Sequence, residues 1–317
     1  MAQVTFSPPF TAPSDVASQL RKAGYAVLSP ADVARWVGCD LSSLMALNGD
    51  WAALPPDDFL KDGGRYRRRR HACFVVQGGQ VQQAPHRAHW QPVEYNALHG
   101  GMERWFAPME PATVATPVWQ QLLAALAGVS DAVFAGLQAP APWFVEAHQF
   151  RIDTTDGIGR PTPEGAHRDG VDLVAVFMVA RDRVKGGETR VFEADGPNGQ
   201  RFTLSEPWSL LLLDDERVIH ESTPIQPLAE GGYRDTLDDN SDAVGTSIAG
   251  SPSQTLYREI EDPFGGSLIA SAESSALVRS DQSTKLTKPW PVFCPAAPWP
   301  PPATAWIAAS KRSATRA

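Results

Sequence analysis

The chain predicts a mainly β core with flanking helices, and three observations carry that reading. Short apolar runs of strand length, separated by glycine, proline and charged breaks, recur from Phe144 to Leu237. Helical spacing is confined to the amino-terminal side, where Val118, Leu122, Leu123 and Leu126 recur with the period of one helix face. Finally, His167, Asp169 and His220 form an H-x-D…H set whose members are far apart in sequence and must converge from separate extended segments.

Taken in order, Ser14 or Asp15 caps a short helix running to Gly24, and Tyr25–Leu28 reads as a strand. Pro30 with Asp32 opens a second helix toward Val37, and residues 51–62 are loop-like. Arg65, Arg67, Arg68, Arg69 and Arg70, flanked by Tyr66 and Phe74, suggest a strand with alternate arginines on opposite sides. One of them could reach a carboxylate of a substrate, while the others read as solvated or acid-paired. His86 and His89 stand at i, i+3, a possible metal pair, but Pro85 and Pro92 disfavour a helix and place them in a loop. The helix over 117–127, ended by Gly128, is expected to pack on the outside of the core.

Phe144–Ile152 reads as a strand whose polar residues Glu146, His148, Gln149 and Arg151 occupy both faces, which favours a strand bordering a wet pocket. The alternative pairs Glu146 with Arg151 on a solvated face. Val171–Ala180 reads as a strand buried on both sides, and Gly186 with Gly187 permits a tight return. Trp208–Leu213, the charged break Asp214–Arg217 and the extended piece from Val218 to Pro224 deliver His220. GGYRDTL (231–237) supplies another short strand, but Asp238, Asp239, Asn240 and Ser241 follow it, so the last strand is expected to be short or frayed.

Two imidazoles and one carboxylate hold one face of an octahedral Fe(II) and leave three positions open. On an extended segment residues i and i+2 share a side, so His167 and Asp169 converge while Arg168 points away. An isolated H-x-D is as readily a surface turn; here its strand context is present. Arg234, fourteen residues after His220, is the natural anchor for a carboxylate, because its planar fork donates two parallel charge-assisted bonds.

The HQFRID segment (148–153), PTPEGAHRDG (161–170), KGGETRVFE (185–193), LLLLDDERVIHESTPIQP (210–227) and GYRDTL together resemble the Fe(II)/2-oxoglutarate dioxygenase family that includes bacterial L-isoleucine 4-hydroxylase. DDFLKDGGRYRRRRHACF (57–74) and YNALHGGMERWF (95–106) resemble its amino-terminal half. The resemblance implies a double-stranded β-helix, a jelly-roll of cupin-like shape. It implies Fe(II) on His167, Asp169 and His220, with 2-oxoglutarate as co-substrate bound through its distal carboxylate by Arg234, and ascorbate as a supporting reductant. The implied reaction hydroxylates a small molecule, above all a free aliphatic L-amino acid of the isoleucine, leucine or methionine type, with succinate and CO₂ as co-products. Glu146 and Arg151 are the candidate partners for the ammonium and carboxylate of such a substrate. A non-catalytic ligand-binding or stress-resistance member of the same barrel is the alternative, motivated by the polar last strand.

The net charge of −8 argues against a nucleic-acid partner, and 43% hydrophobic content suffices for a sizeable core. The first residues lack a basic and apolar leader pattern, and no run is long enough to span a membrane, so a cytoplasmic enzyme is expected. Cys39, Cys73 and Cys294 fit neither a disulfide framework nor a C-x-x-C metal site and read as free thiols. The domain reading is a loose leader at 1–15, a catalytic domain at 16–240 and a poorly ordered Pro/Ser/Ala-rich tail at 241–317. That tail is either an added extension or the product of a changed reading frame.

Overall fold

Glycine closes the first two α-helices and proline opens the second, as the left-handed freedom of one and the fixed φ of the other allow. The computed structural model describes residues 6–96, 98–134 and 142–243, with side chains as far as Ser241. Helix α1 (Val16–Ala23) ends on Gly24 at φ 76°, and α2 (Pro30–Val37), capped by the Ser29 hydroxyl, ends on Gly38 at φ 78°. Strand β1 (Tyr25–Leu28) lies between them, and two short helices follow, α3 (Leu41–Met45) and α4 (Pro111–Val114). Helix α5 (Pro117–Val133) is longer than its spacing predicts: Gly128 lies inside it, and Val129 and Val133 extend the buried stripe by another turn.

The remaining strands are β2 (Arg67–Gln77), β3 (Gln80–Gln83), β4 (Trp143–Asp153), β5 (Leu173–Asp182), β6 (Val184–Gly186) and β7 (Thr189–Glu193). They continue with β8 (Gly199–Phe202), β9 (Ser209–Asp214), β10 (Val218–Ser222), β11 (Ile225–Pro227) and β12 (Tyr233–Ala243). A seven-stranded sheet in the order β1-β9-β5-β12-β4-β2-β3 is accompanied by a β10-β7-β8 sheet and a β11-β6 pair, with every named pairing antiparallel. This is the predicted jelly-roll class.

The two faces of the large sheet do different work. On one, Leu28, Leu212, Phe177, Leu237, Val145 and Phe74 meet Leu20, Val33, Trp119, Leu122 and Leu126 of the helices. Each aliphatic side chain so buried stabilises by roughly 1.5–3 kcal/mol. On the other, Val174, Met178, Leu211 and Leu213 pack on Val191, Phe202 and Val218 of the smaller sheet. That apolar contact closes one end of the barrel. Toward β12, β4 and β2 the inner face turns polar, and there the cavity lies.

Strand β12 corrects the expectation of a frayed end. It runs unbroken for eleven residues between β5 and β4, one residue shifted at Asp235/Thr236, and carries pairing three residues past the predicted boundary at 240. Backbone pairing on both sides overrides the poor strand propensity of Asp-Asp-Asn-Ser. The cost falls on Asp239, which points to the helix-packed face between Ala147 and Ala175 with both carboxylate oxygens lacking a hydrogen-bond partner. Of the tail expected to be poorly ordered, 241–317, residues 241–243 are instead paired in β12, and 244–317 lie outside the described residues.

Candidate active site

His167, Asp169 and His220 are brought together. The His167 and His220 backbones exchange a pair of N–H···O bonds of 3.0 Å each, and their rings stand 4.6 Å apart. The H-x-D segment is not part of a named strand, as its spacing suggests; this single antiparallel bridge holds it extended. Asp169 faces both rings, with Oδ1 3.8 Å from His167 Nε2 and Oδ2 3.7 Å from His220 Nε2. One ligand atom from each of the three lies within 4.8 Å of the other two.

Neighbouring groups orient this set. His167 Nδ1 lies 2.9 Å from the Gly165 carbonyl, to which it donates, leaving the Nε2 lone pair directed toward Asp169. Gln91 Nε2 donates to Asp169 Oδ1 at 3.2 Å. Asp215, buried beneath, accepts from the backbone N–H groups of Asp169, Gly170 and Val171 at 3.1, 2.8 and 3.2 Å, fixing the turn after the carboxylate. Gly170, at φ 80°, cannot carry a side chain, since a Cβ there would stand 2.5 Å from the Tyr95 ring.

The electrostatics suit cation capture. Burial alone would lower His167, but Asp169 and Glu164 raise it above the usual histidine range, whereas burial and then His167 push His220 down to about 4. Burial, followed by the Asp169 charge, lifts Asp215 to about 7 despite its backbone donors. Two imidazoles and a carboxylate facing one another in a largely buried site fit an Fe(II) ion.

Around the triad the cavity wall is strongly basic. The inner rows of the sheet, read from the register, are Arg67–Ile152–Arg234, Arg69–Phe150–Thr236 and His71–His148–Asp238. The alternation predicted for the arginine run therefore holds within the strand: Arg67 and Arg69 point inward, while Arg68 and Arg70 pair with Asp153 and Glu110; Arg65, ahead of the strand, pairs with Asp156. Arg69 is sandwiched between the Phe106 and Phe150 rings, 3.6 and 4.2 Å from their centroids. Arg104 joins them from the segment before α4, with its Nη2 donating to Gln91. Asp57 is the carboxylate nearest the two strand arginines; burial would raise it, but Arg67 and Arg69 hold it below the usual range. Arg67, Arg69, Arg104 and His99 line the cavity with the triad, together with Asp238 and Asn240 of β12.

Arg234 lies on the same inner face of β12. Its Nε has no hydrogen-bond partner among the described residues, burial lowers it to about 10, and glycine at 187 leaves room beside its Cδ. Neither substrate candidate from the sequence reaches the cavity freely. Arg151 points to the opposite face of β4, where Asp235 binds it through two 2.7 Å bonds and Tyr233 stacks on it. Glu146 points inward but is engaged by His89 Nδ1 at 2.7 Å. Nor do these two pair, since adjacent-face alternation separates them. Arg104 and Asp215 were not singled out in the sequence, and the arginine run was expected to send one unspecified member to a carboxylate; the R-x-R alternation and the DD pair after the LLLL run are the signals that mark Arg67, Arg69 and Asp215.

The model of the 2OG-Fe dioxygenase family matches residues 48–237. The chain belongs to the 2OG-Fe dioxygenases. A bsmA homolog from Methylobium petroleophilum PM1, of known crystal structure, is 47% identical over 76% of this chain and 97% of its own, with TM-score 0.70. IDO from Bacillus thuringiensis (16% identity, 77% and 98% covered, TM-score 0.59) and the Fe(II)/α-ketoglutarate-dependent dioxygenase TqaL (19%, 75% and 88%, 0.54) share its fold. No curated protein sequence matches. This dioxygenase therefore requires Fe(II) and 2-oxoglutarate. No helix among its described residues is long and apolar enough to cross a membrane.

Proposed function

We propose that this dioxygenase hydroxylates a free aliphatic L-amino acid of the isoleucine, leucine or methionine type, as in the subfamily that includes L-isoleucine 4-hydroxylase. The observation that carries the reading is the convergence of His167, Asp169 and His220 at a cavity walled by buried arginines. His167, Asp169 and His220 hold Fe(II), and Arg234 anchors the distal carboxylate of 2-oxoglutarate. Bound there, the metal and co-substrate supply oxidation of an unactivated carbon at the expense of 2-oxoglutarate, which leaves as succinate and CO₂.

The protein's own part is positioning. Arg69 and Arg104 bring positive charge that Asp57 only partly offsets, so an anionic group is favoured beside them. We assign the substrate carboxylate to this pair in place of Arg151. Asp238, raised to about 6 by burial against the opposing pull of Arg234, and Asn240 offer oxygens to an ammonium group in place of Glu146. Phe150 and Val176 line the apolar remainder where an aliphatic side chain fits. Residues 16–243 then constitute the catalytic domain.

The test is mass spectrometry of the purified protein with Fe(II), ascorbate, 2-oxoglutarate and the twenty free amino acids. Succinate together with an oxygenated isoleucine, leucine or methionine is expected. Succinate without an oxygenated amino acid would reject the substrate class and keep the dioxygenase. The unbroken β12 removes the reason for preferring a ligand-binding barrel without turnover.

A further inference from the structure

The wall of the same cavity holds a second convergence of metal-binding side chains that shares no residue with the triad. Strand β2 contributes His71, and its neighbour β4 contributes Glu146 and His148 in the register His71↔His148. His89 enters from the segment after β3 and is fixed there by a two-way backbone bridge to Arg104. One ligand atom from each of the four lies within 4.8 Å of the others, and all four residues are buried. Glu146 is the hub, with Oε2 2.7 Å from His89 Nδ1 and 3.9 Å from His148 Nε2, and Oε1 3.7 Å from His71 Nε2. His148 Nε2, turned into this cluster, has no hydrogen-bond partner among the described residues.

We propose that His71, His89, Glu146 and His148 form a second metal site of the zinc class, which staples the 84–110 segment to the sheet. Three imidazoles and one carboxylate are the donors that borderline divalent ions select, and with no position left open such a site is structural. Ligand atoms placed about 2.0–2.1 Å from a tetrahedral ion stand roughly 3.3–3.4 Å apart. The three hub distances bracket that spacing, so small side-chain shifts suffice. The ion's two charges meet one carboxylate, and three imidazoles complete the donor set.

Arg69 sets a condition on capture. A guanidinium only donates, so its 2.7 Å contact makes His148 Nδ1 an acceptor and leaves the ring proton on Nε2. When the ion takes Nε2, that proton moves to Nδ1 and Arg69 turns to Asp57, whose Oδ2 is already 3.9 Å from its Nη1. No proton is lost in the exchange. The consequence reaches the first site through Gln91, two residues beyond His89, which donates to Asp169. Metal at the second site thus steadies a residue that orients the first.

The experiment measures zinc by mass spectrometry in the full chain after loading and desalting, in a D169A/H220A background that disables the triad. One retained equivalent is expected, falling to none in H71A/D169A/H220A and weakened at least tenfold by E146Q, with circular dichroism verifying that each chain is folded. R69A in the same background should retain zinc at least as well. Cobalt in place of zinc should give the intense visible absorption of a tetrahedral site. A folded D169A/H220A chain without zinc, or one whose zinc survives both H71A and E146Q, would overturn the proposal. Neither result depends on turnover, so the outcome is separable from the substrate assignment.

Discussion

Asp239→Val is the substitution for which the structure gives the clearest expectation. Asp239 is fully buried on the helix-packed face of β12, flanked by Ala147 and Ala175, with neither oxygen hydrogen-bonded. Burial, and then the Asp238 charge, raise its carboxyl well above the usual range. Valine has the same branched shape at a slightly larger volume, suits a strand and leaves no polar atom unpaired. Removing an unsatisfied buried carboxyl is worth roughly 1–3 kcal/mol, and the added apolar burial about 1 kcal/mol more. At about 2–4 °C per kcal/mol for a domain of this size, Tm should rise by roughly 5–15 °C in differential scanning calorimetry.

The pH dependence supplies a second check. A carboxyl whose native pKa is raised binds its proton more tightly when folded, so its contribution is fully present below the unfolded value near ~4 and is lost as pH rises through the native value. Wild-type stability should therefore decline over that rise, and D239V should decline less. Because the side chain faces away from the cavity, turnover should be unchanged. A Tm that stays level or falls in D239V, or a pH slope identical to wild type, would refute the placement of Asp239 in the core.

Asp169→Ala removes the anionic member of the triad and should abolish iron-dependent succinate formation; wild-type turnover would sink the triad. Asp215→Asn replaces one of the two oxygens that accept from three backbone N–H groups with an amide that cannot accept, and iron affinity measured by titration should drop roughly 10–100-fold, as outer-shell partners of metal ligands typically do. Arg69→Leu should raise KM for the amino acid far more than KM for 2-oxoglutarate, and equal effects on both would remove Arg69 from the substrate role. Arg234→Ala should do the reverse, raising KM for 2-oxoglutarate selectively in the same steady-state assay.

The local pieces were legible in sequence because local chemistry decides them. Pro30 and Gly38 bound a helix through backbone geometry, the two-sided apolar run after Asp169 announces a buried strand, and R-x-R alternation puts Arg67 and Arg69 on one side whatever lies opposite. The H-x-D…H spacing was readable for the same reason, since i and i+2 share a face. Partnership across the sheet was not readable. Whether Arg151 faces substrate or Asp235 depends on which strand lies beside β4, and the answer, β12, comes from more than eighty residues away. The same pairing turned a polar segment that reads as a frayed end into a central strand and placed Asp239 in the core. Glu146 and His148 share a face of β4 by the same i, i+2 rule, but His71 and His89 stand far from them in sequence, with no spacing that marks the four as a cluster. Only the packing of two strands and one loop made them neighbours, because contact between side chains follows register and closure of the barrel, which no local pattern encodes.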